Sequence, residues 1–283
     1  MFFREKMKIR KSHAIKDRIK LIFALLIVLI AMIFLVKILG ENRRMEKTAT
    51  IETFLETALK PIGSTMYIWG GGWNVEDDGS GASSTYLGLN PQWEIFAQAQ
   101  DESYDFENHR YERENGLDCS GFVGWVLYNT FESQKGQEGY VTLSTEMAQS
   151  MAERGWGRLI CNPKKFLPGD IVSMEGHVWI CLGTCQDGSV LLVHSSPPGV
   201  SVCGTALSTN QGNQTESQAV KLATQYMKER HPKWQEKYPN REVSVSYLKE
   251  VTVFRWSKSS MLDAQEYQKK SAEEILGILS PDM

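Results

Sequence analysis

The 283-residue chain has no internal repeat and no low-complexity tract, so it is neither an array of stacked units nor a long flexible linker. Metal-ligand spacing is missing too. No C-x-x-C pair occurs, "CLGTC" (Cys181 to Cys185) has no matching ligands elsewhere, and "VEDDGSG" (residues 75–81) lacks the spacing of a calcium loop. Histidine is scarce, five in all, which narrows any search for a general base. Basic charge is scarce over most of the length. With the eight bases and two acids of residues 1–20 and Lys37 set aside, 22 basic and 32 acidic residues remain, a formal balance near minus ten. That sign argues against nucleic acid as a partner and against adhesion to acidic polymers by charge alone.

Long apolar runs are confined to the front. From Leu21 to Leu39, "LIFALLIVLIAMIFLVKIL" is apolar except for Lys37, which is close enough to one end to snorkel. This predicts a membrane-spanning helix. The basic tail ahead of it predicts a cytoplasmic N-terminus, with everything after Gly40 outside the cell membrane. A cleaved signal peptide is the rival reading, but no small-x-small site follows, and no cysteine before Cys119 could carry a lipid. The expected organisation is a cytoplasmic tail (1–20), a transmembrane anchor (21–40), a stem (41–50), a main domain (51–256) with an acidic insertion (74–116), and a helical tail (257–283). The stem limits reach to roughly 35 Å even when extended.

Hydrophobic periodicity predicts an amphipathic helix at "IETFLETALKPIG" (51–63), stopped by Pro61 and Gly63. The insertion holds ten acids and two arginines, yet also Trp93, Phe96, Tyr104, Phe106 and Tyr111, too aromatic for a linker. We expect it to fold as a cover or rim, with a helix capped by Asn90 and opened by Pro91. Further helices are expected at "TEMAQSMAERG" (145–155), across 217–237 and toward Leu279. Strands are expected at "DIVSM", "HVWICL", "SVLLVHSS", "EVSVSYL" and "VTVFRW". Together these predict an α+β fold, an antiparallel sheet with helices packed against it.

Cys119 stands at or next to the start of a helix in which Phe122, Val123, Val126 and Leu127 recur at helical spacing. Free N–H groups and the helix dipole at that point favour a thiolate, whereas an isolated cysteine in apolar surroundings is otherwise a small core residue. A nucleophilic thiol needs an imidazole partner. His13 precedes the predicted span, His109 falls in the insertion and His231 in a charged helical stretch, all expected to be solvated. His177 and His194 remain. If Leu182 faces Ser189 across "GTCQDG", His177 faces His194. The tighter Asp187-Gly188 turn sets His194 opposite Cys181 instead, and only a slip of odd length would part the two rings. Of the other thiols, Cys161, Cys181, Cys185 and Cys203 could form up to two bridges or stay as buried free thiols.

Taken in order, "MYIWGGGW" (66–73), "LDCSGFVGWV" (117–126), "LPGDIVSMEGHVWICLG" (167–183) and "VHSS" (193–196) resemble the NlpC-type cysteine peptidases, the NlpC/p-sixty family, over roughly residues 51–196. The resemblance implies a papain-like core in which Cys119 is the nucleophile, His177 the base and then the acid, and His194 the group orienting His177. Tyr67 would line the acceptor side of the cleft, and Asp118 and Ser120 would help hold the substrate. It also implies bacterial peptidoglycan stem peptides as substrate, usually the D-γ-glutamyl bond to the diamino acid, with no metal or other cofactor. A wall-remodelling role, or one within a larger secretion or transfer apparatus, would follow. Two features depart from the pattern. Tyr67 and Cys119 lie 52 residues apart, where about a dozen residues are usual, and Trp179 stands where the family has glycine, able to wall the groove or obstruct it. An N-acetylmuramoyl-L-alanine amidase or acyl transferase using the same dyad, or a non-catalytic wall-binding scaffold, stays open.

Overall fold

The computed structural model of the chain describes residue 32 and residues 49–207 and 216–281. The expected cytoplasmic tail, the anchor apart from Met32, and the stem up to residue 48 lie outside the described residues. Among the described residues no helix is long and apolar enough to cross a membrane.

Helix α1 (Ile51–Leu59) starts at Thr50, whose hydroxyl accepts from Thr53 N while the Thr53 hydroxyl accepts from Thr50 N, a reciprocal cap. It buries Ile51, Phe54, Leu55 and Ala58 on one face. There follow β1 (Met66–Tyr67), α2 (Pro91–Ala99) inside the insertion, β2 (Gly116–Leu117), α3 (Cys119–Phe131) and α4 (Met147–Glu153). Then come β3 (Gly157–Cys161), β4 (Ile171–Met174), β5 (His177–Thr184), β6 (Val190–Ser196) and β7 (Gly199–Gly204). The chain closes with α5 (Gln218–Arg230), α6 (Pro232–Lys237), β8 (Thr252–Trp256) and α7 (Ala272–Leu279).

All eight strands join one sheet in the order β2-β1-β7-β6-β5-β4-β8-β3. Pairing is antiparallel throughout except between β1 and β2, so the fold is mixed α+β with the sheet packed on helices. Alternate residues of the central strands enter two cores. Val178, Ile180, Leu182, Leu191 and Val193 join the core under α1 and α3, and Trp179, Cys181, Val190 and Leu192 join a smaller one on the opposite face. Burial on both faces explains why these strands read as unbroken apolar runs. The buried Asp170 carboxylate, just before β4, is held by Arg255 of β8 at 2.6 and 2.8 Å, satisfying a charge in the sheet interior.

Several expectations change. Strands β1, β2, β3 and β7 lie outside the runs expected to be strands, and "EVSVSYL" is no strand. Val243 makes one bridge to Thr205, then Ser244 accepts from Ser246 N and turns the chain into a 3-10 helix at Val245–Leu248. The single helix expected over 217–237 breaks at His231, because Pro232 lacks an N–H and disfavours helical geometry in the residue before it. The segment after Trp256 belongs to the compact body that runs from Thr48, with Ala272, Ile275 and Leu276 of α7 in the main core. All five cysteines are free thiols, four of them buried and Cys161 exposed.

Candidate active site

Helix α3 begins at the thiol. Its N-cap is Asp118, whose Oδ1 accepts from Gly121 N at 2.7 Å and from Ser120 Oγ at 2.9 Å. Trp73 Nε1 donates to Ser120 Oγ at 3.0 Å, and Asp118 N donates to Gly71 O at 2.9 Å. Glycines make this docking possible. A Cβ on Gly121 would stand 2.0 Å from Gly71 O, and one on Gly72, at φ +93°, would stand 2.5 Å from Gly121 Cα. The "WGGGW" stretch is therefore the seat on which the helix start rests.

Tyr67, Asp118, Cys119 and Ser120 line one cleft of about 290 Å³, with Trp69, Trp73 and Tyr111 as its aromatic walls. The polar atoms of Asp118 and Ser120 are already engaged with each other, with Trp73 and with backbone N–H groups, so they shape the wall rather than present free charge. Residues 74–116 are fixed to this cleft by side-chain contacts. Tyr104 donates its hydroxyl to Tyr67 O at 2.6 Å, the Phe106 ring meets the Tyr67 ring edge-on at 5.3 Å, and Trp93 packs against Trp125 of α3 at 5.7 Å. Arg110 lies 4.8 Å over Trp69.

The histidines come together, in a register that neither expected turn produces. At the turn, Thr184 pairs with Val190 and Gly183 with Leu191. A bulge at Leu182 then shifts the ladder by one residue, so that Cys181 pairs with Leu192 and Ile180 with Val193. Without that bulge the rings would emerge on opposite faces. Extended past Ile180, the register sets His194 opposite Trp179 and diagonal to His177, and His177 Nε2 lies 2.9 Å from His194 Nδ1. The β5–β6 ladder stops at Ile180–Val193, and there the start of α3 meets both strands. Ser195 Oγ donates to Leu117 O at 2.7 Å, and the backbone N–H of Val178, the residue after His177, is near enough to Cys119 to oppose the rise of its thiol pKa. No hydrogen bond joins Cys119 to either imidazole.

Burial governs the titration of this group. It pushes the Cys119 thiol up to about 12, and the Asp118 carboxylate adds to that shift, while the N–H groups of Val178, Ser120 and Cys119 oppose it. Burial also lowers His177 to about 4, and burial with the neighbouring His177 holds His194 well below the ordinary range. Asp118 is raised to about 6 by burial, against the hydrogen bonds it accepts. The resting pair is thus a neutral thiol and a neutral imidazole, and the thiolate expected at a helix start does not form in this state because desolvation outweighs the N–H groups.

One residue of this neighbourhood gives no sign in the sequence. Tyr247, in the 3-10 turn, lies across both imidazoles, with ring centroids 5.5 Å from His177 and 6.0 Å from His194. Trp179 is fully buried beneath it, 6.5 Å from Tyr247 and 5.7 Å from Phe166, so it neither walls nor obstructs the cleft. His109 and His231, expected to be solvated, are half-buried. His109 stacks on Tyr104 at 5.3 Å and sits 3.1 Å from Glu112, and His231 lies 5.8 Å from Tyr226. His13 is outside the described residues. Among the described residues no group of three or more His, Cys, Asp or Glu is placed to hold a metal ion. No protein-family model, curated protein or solved structure matches the chain.

Proposed function

We propose that the chain is a membrane-anchored, extracytoplasmic peptidoglycan hydrolase, a cysteine endopeptidase with a papain-like core of the NlpC type. One observation carries the reading. A thiol at a helix start lies beside the backbone of Val178, the residue next to a histidine whose Nε2 is engaged by a second histidine. That leaves Nδ1 of His177 as the nitrogen for the thiol. His194 resists protonation, and in its Nε2–H tautomer Nδ1 keeps a lone pair to accept from His177 Nε2–H when His177 becomes charged.

In the proposed reaction, His177 takes the Cys119 proton and the thiolate adds to the amide carbon of the stem peptide, with D-γ-glutamyl to diamino acid as the bond. The N–H groups of Cys119 and Ser120, free at the helix start and favouring negative charge at the sulfur, receive the oxyanion. His177 then protonates the leaving amine. Water, deprotonated by His177, hydrolyses the thioester and restores the thiol. Tyr67 bounds the cleft on the side toward β1, and Asp118 and Ser120 support its floor. Forming the ion pair requires the substrate, or movement of Tyr247, to change the burial that keeps both groups neutral.

The test is digestion of defined peptidoglycan by wild-type and Cys119→Ala protein, with products read by mass spectrometry. Cleaved stem peptides that depend on Cys119 support the endopeptidase. Whole stem peptides freed from glycan would assign an amidase, and binding without any product would assign a scaffold.

A further inference from the structure

A second cavity, of about 500 Å³, lies away from the thiol and carries the opposite charge to the rest of the body. Lys164, Lys165, Lys249, Lys269 and Lys270 line it, and no acidic residue does. The Lys269 ammonium is held by Glu266, whereas the other four lysines make no ion pair among the described residues. Lys164, Lys165 and Lys249 are exposed and Lys270 is half-buried. Beneath this rim the floor is apolar, with Phe166 and Val190 buried and Leu167, Val245 and Leu248 half-buried. Gln268, also in the wall, has a buried Nε2 with no hydrogen-bond partner. A buried donor without an acceptor carries a desolvation cost that an oxygen-rich anion would remove.

The place of this cavity in the chain matters as well. Leu262 N donates to Ala49 O and Ile51 N donates to Leu262 O, both at 2.9 Å, so the segment that leads to Gln268 is laced to the point where the described body begins. The predicted span ends at Gly40, only nine residues before Ala49. A free phosphate ion would leave most of the apolar floor wet, whereas an amphiphile with an anionic head matches a cationic rim over an apolar floor.

We propose that this cavity binds an anionic phospholipid, its headgroup among the lysines and part of an acyl chain on the apolar floor. The inference rests on the reading of residues 21–40 as an anchor, and it is independent of whether Cys119 is catalytic.

The experiment is lysine footprinting on the full chain in nanodiscs, with a small acetylating reagent and peptide mass spectrometry. One set of discs is phosphatidylcholine alone, another contains roughly a third phosphatidylglycerol, and a third is phosphatidylcholine with inorganic phosphate in solution. A headgroup in the cavity should slow acetylation of Lys164, Lys165, Lys249 and Lys270 about five-fold with phosphatidylglycerol, while exposed Lys135 and Lys221 stay unchanged. Equal protection by inorganic phosphate would reassign the cavity to a small free anion and overturn the lipid proposal. So would unchanged rates at the four lysines, or slowing of every lysine alike. The readout involves no hydrolysis, so failure of this site and failure of the peptidase reading are told apart.

Discussion

Asp118→Asn should make Cys119 a faster nucleophile without moving it. Asparagine keeps an Oδ1 to accept from Gly121 N and Ser120 Oγ, and it ranks with aspartate as a helix N-cap, so the start of α3 survives. The charge is what disappears. Against an ordinary 9.0, the Cys119 thiol at about 12 keeps only about one thousandth of the usual thiolate near pH 8, an energy of about 4 kcal/mol. Burial is the larger cause and remains in the variant. The gain is therefore a fraction of that thousandfold, with its sign set by the lost carboxylate. Because Asp118 itself is raised to about 6, the wild-type carboxyl is already neutral below that pH, and the two proteins should converge there. The assay is alkylation by iodoacetamide from pH 5 to pH 9, with each cysteine followed by peptide mass spectrometry and exposed Cys161 as the internal reference. Wild-type Cys119 should lag far behind Cys161. The ratio of variant to wild-type rate at Cys119 should rise through pH 6. A ratio that is flat with pH, or below one at pH 8, would show that the Asp118 carboxylate does not hold the thiol up.

Tyr247→Ala should uncover the imidazoles, let His177 rise from about 4 toward its ordinary 6.5, and speed alkylation of Cys119; an unchanged pH profile would show that Tyr247 does not enclose the pair. His194→Ala should lower kcat about 10- to 100-fold with little change in KM, and His194→Asn, which keeps an acceptor for His177 Nε2–H, should recover part of the loss. Equal loss in both variants would mean that His194 does not act by orienting His177. Gly121→Ala should destabilise the body by about 3 kcal/mol or more in urea unfolding, since its Cβ would press on Gly71 O at 2.0 Å; a midpoint shift below measurement error would contradict the docking of α3 on the glycine loop.

Much of this arrangement is legible in local sequence because local rules set it. Asp118 ahead of an apolar helical run marks the cap, and Asn90-Pro91 marks the start of α2. Period-two alternation puts His177 and His194 on one face whichever even register the hairpin takes. The register itself is not legible, since the bulge at Leu182 is chosen by how two strands buried on both faces fit the start of α3. Strand β7 hides behind Pro197 and Pro198, which read as a breaker, yet its backbone completes β6 over six residue pairs. "EVSVSYL" alternates like a strand but finds a partner only at Val243, because β7 ends at Gly204. Tyr247 reaches the histidines only through that turn, a contact across more than fifty residues for which no spacing rule exists. The ionisation state is illegible for a related reason. A helix start can be read from sequence, but the depth at which Asp118, Cys119 and His194 are buried cannot.

In the proposed function, Cys119 attacks an amide in a wall peptide. The most direct measurement is mass spectrometry of products from defined peptidoglycan incubated with matched wild-type and Cys119→Ala protein. Wild-type protein should yield stem peptides cut between glutamate and the diamino acid, and the variant none, with its unfolding midpoint close to that of the wild type. The same products from both proteins, or none from either after Tyr247→Ala has opened the site, would contradict the proposed function.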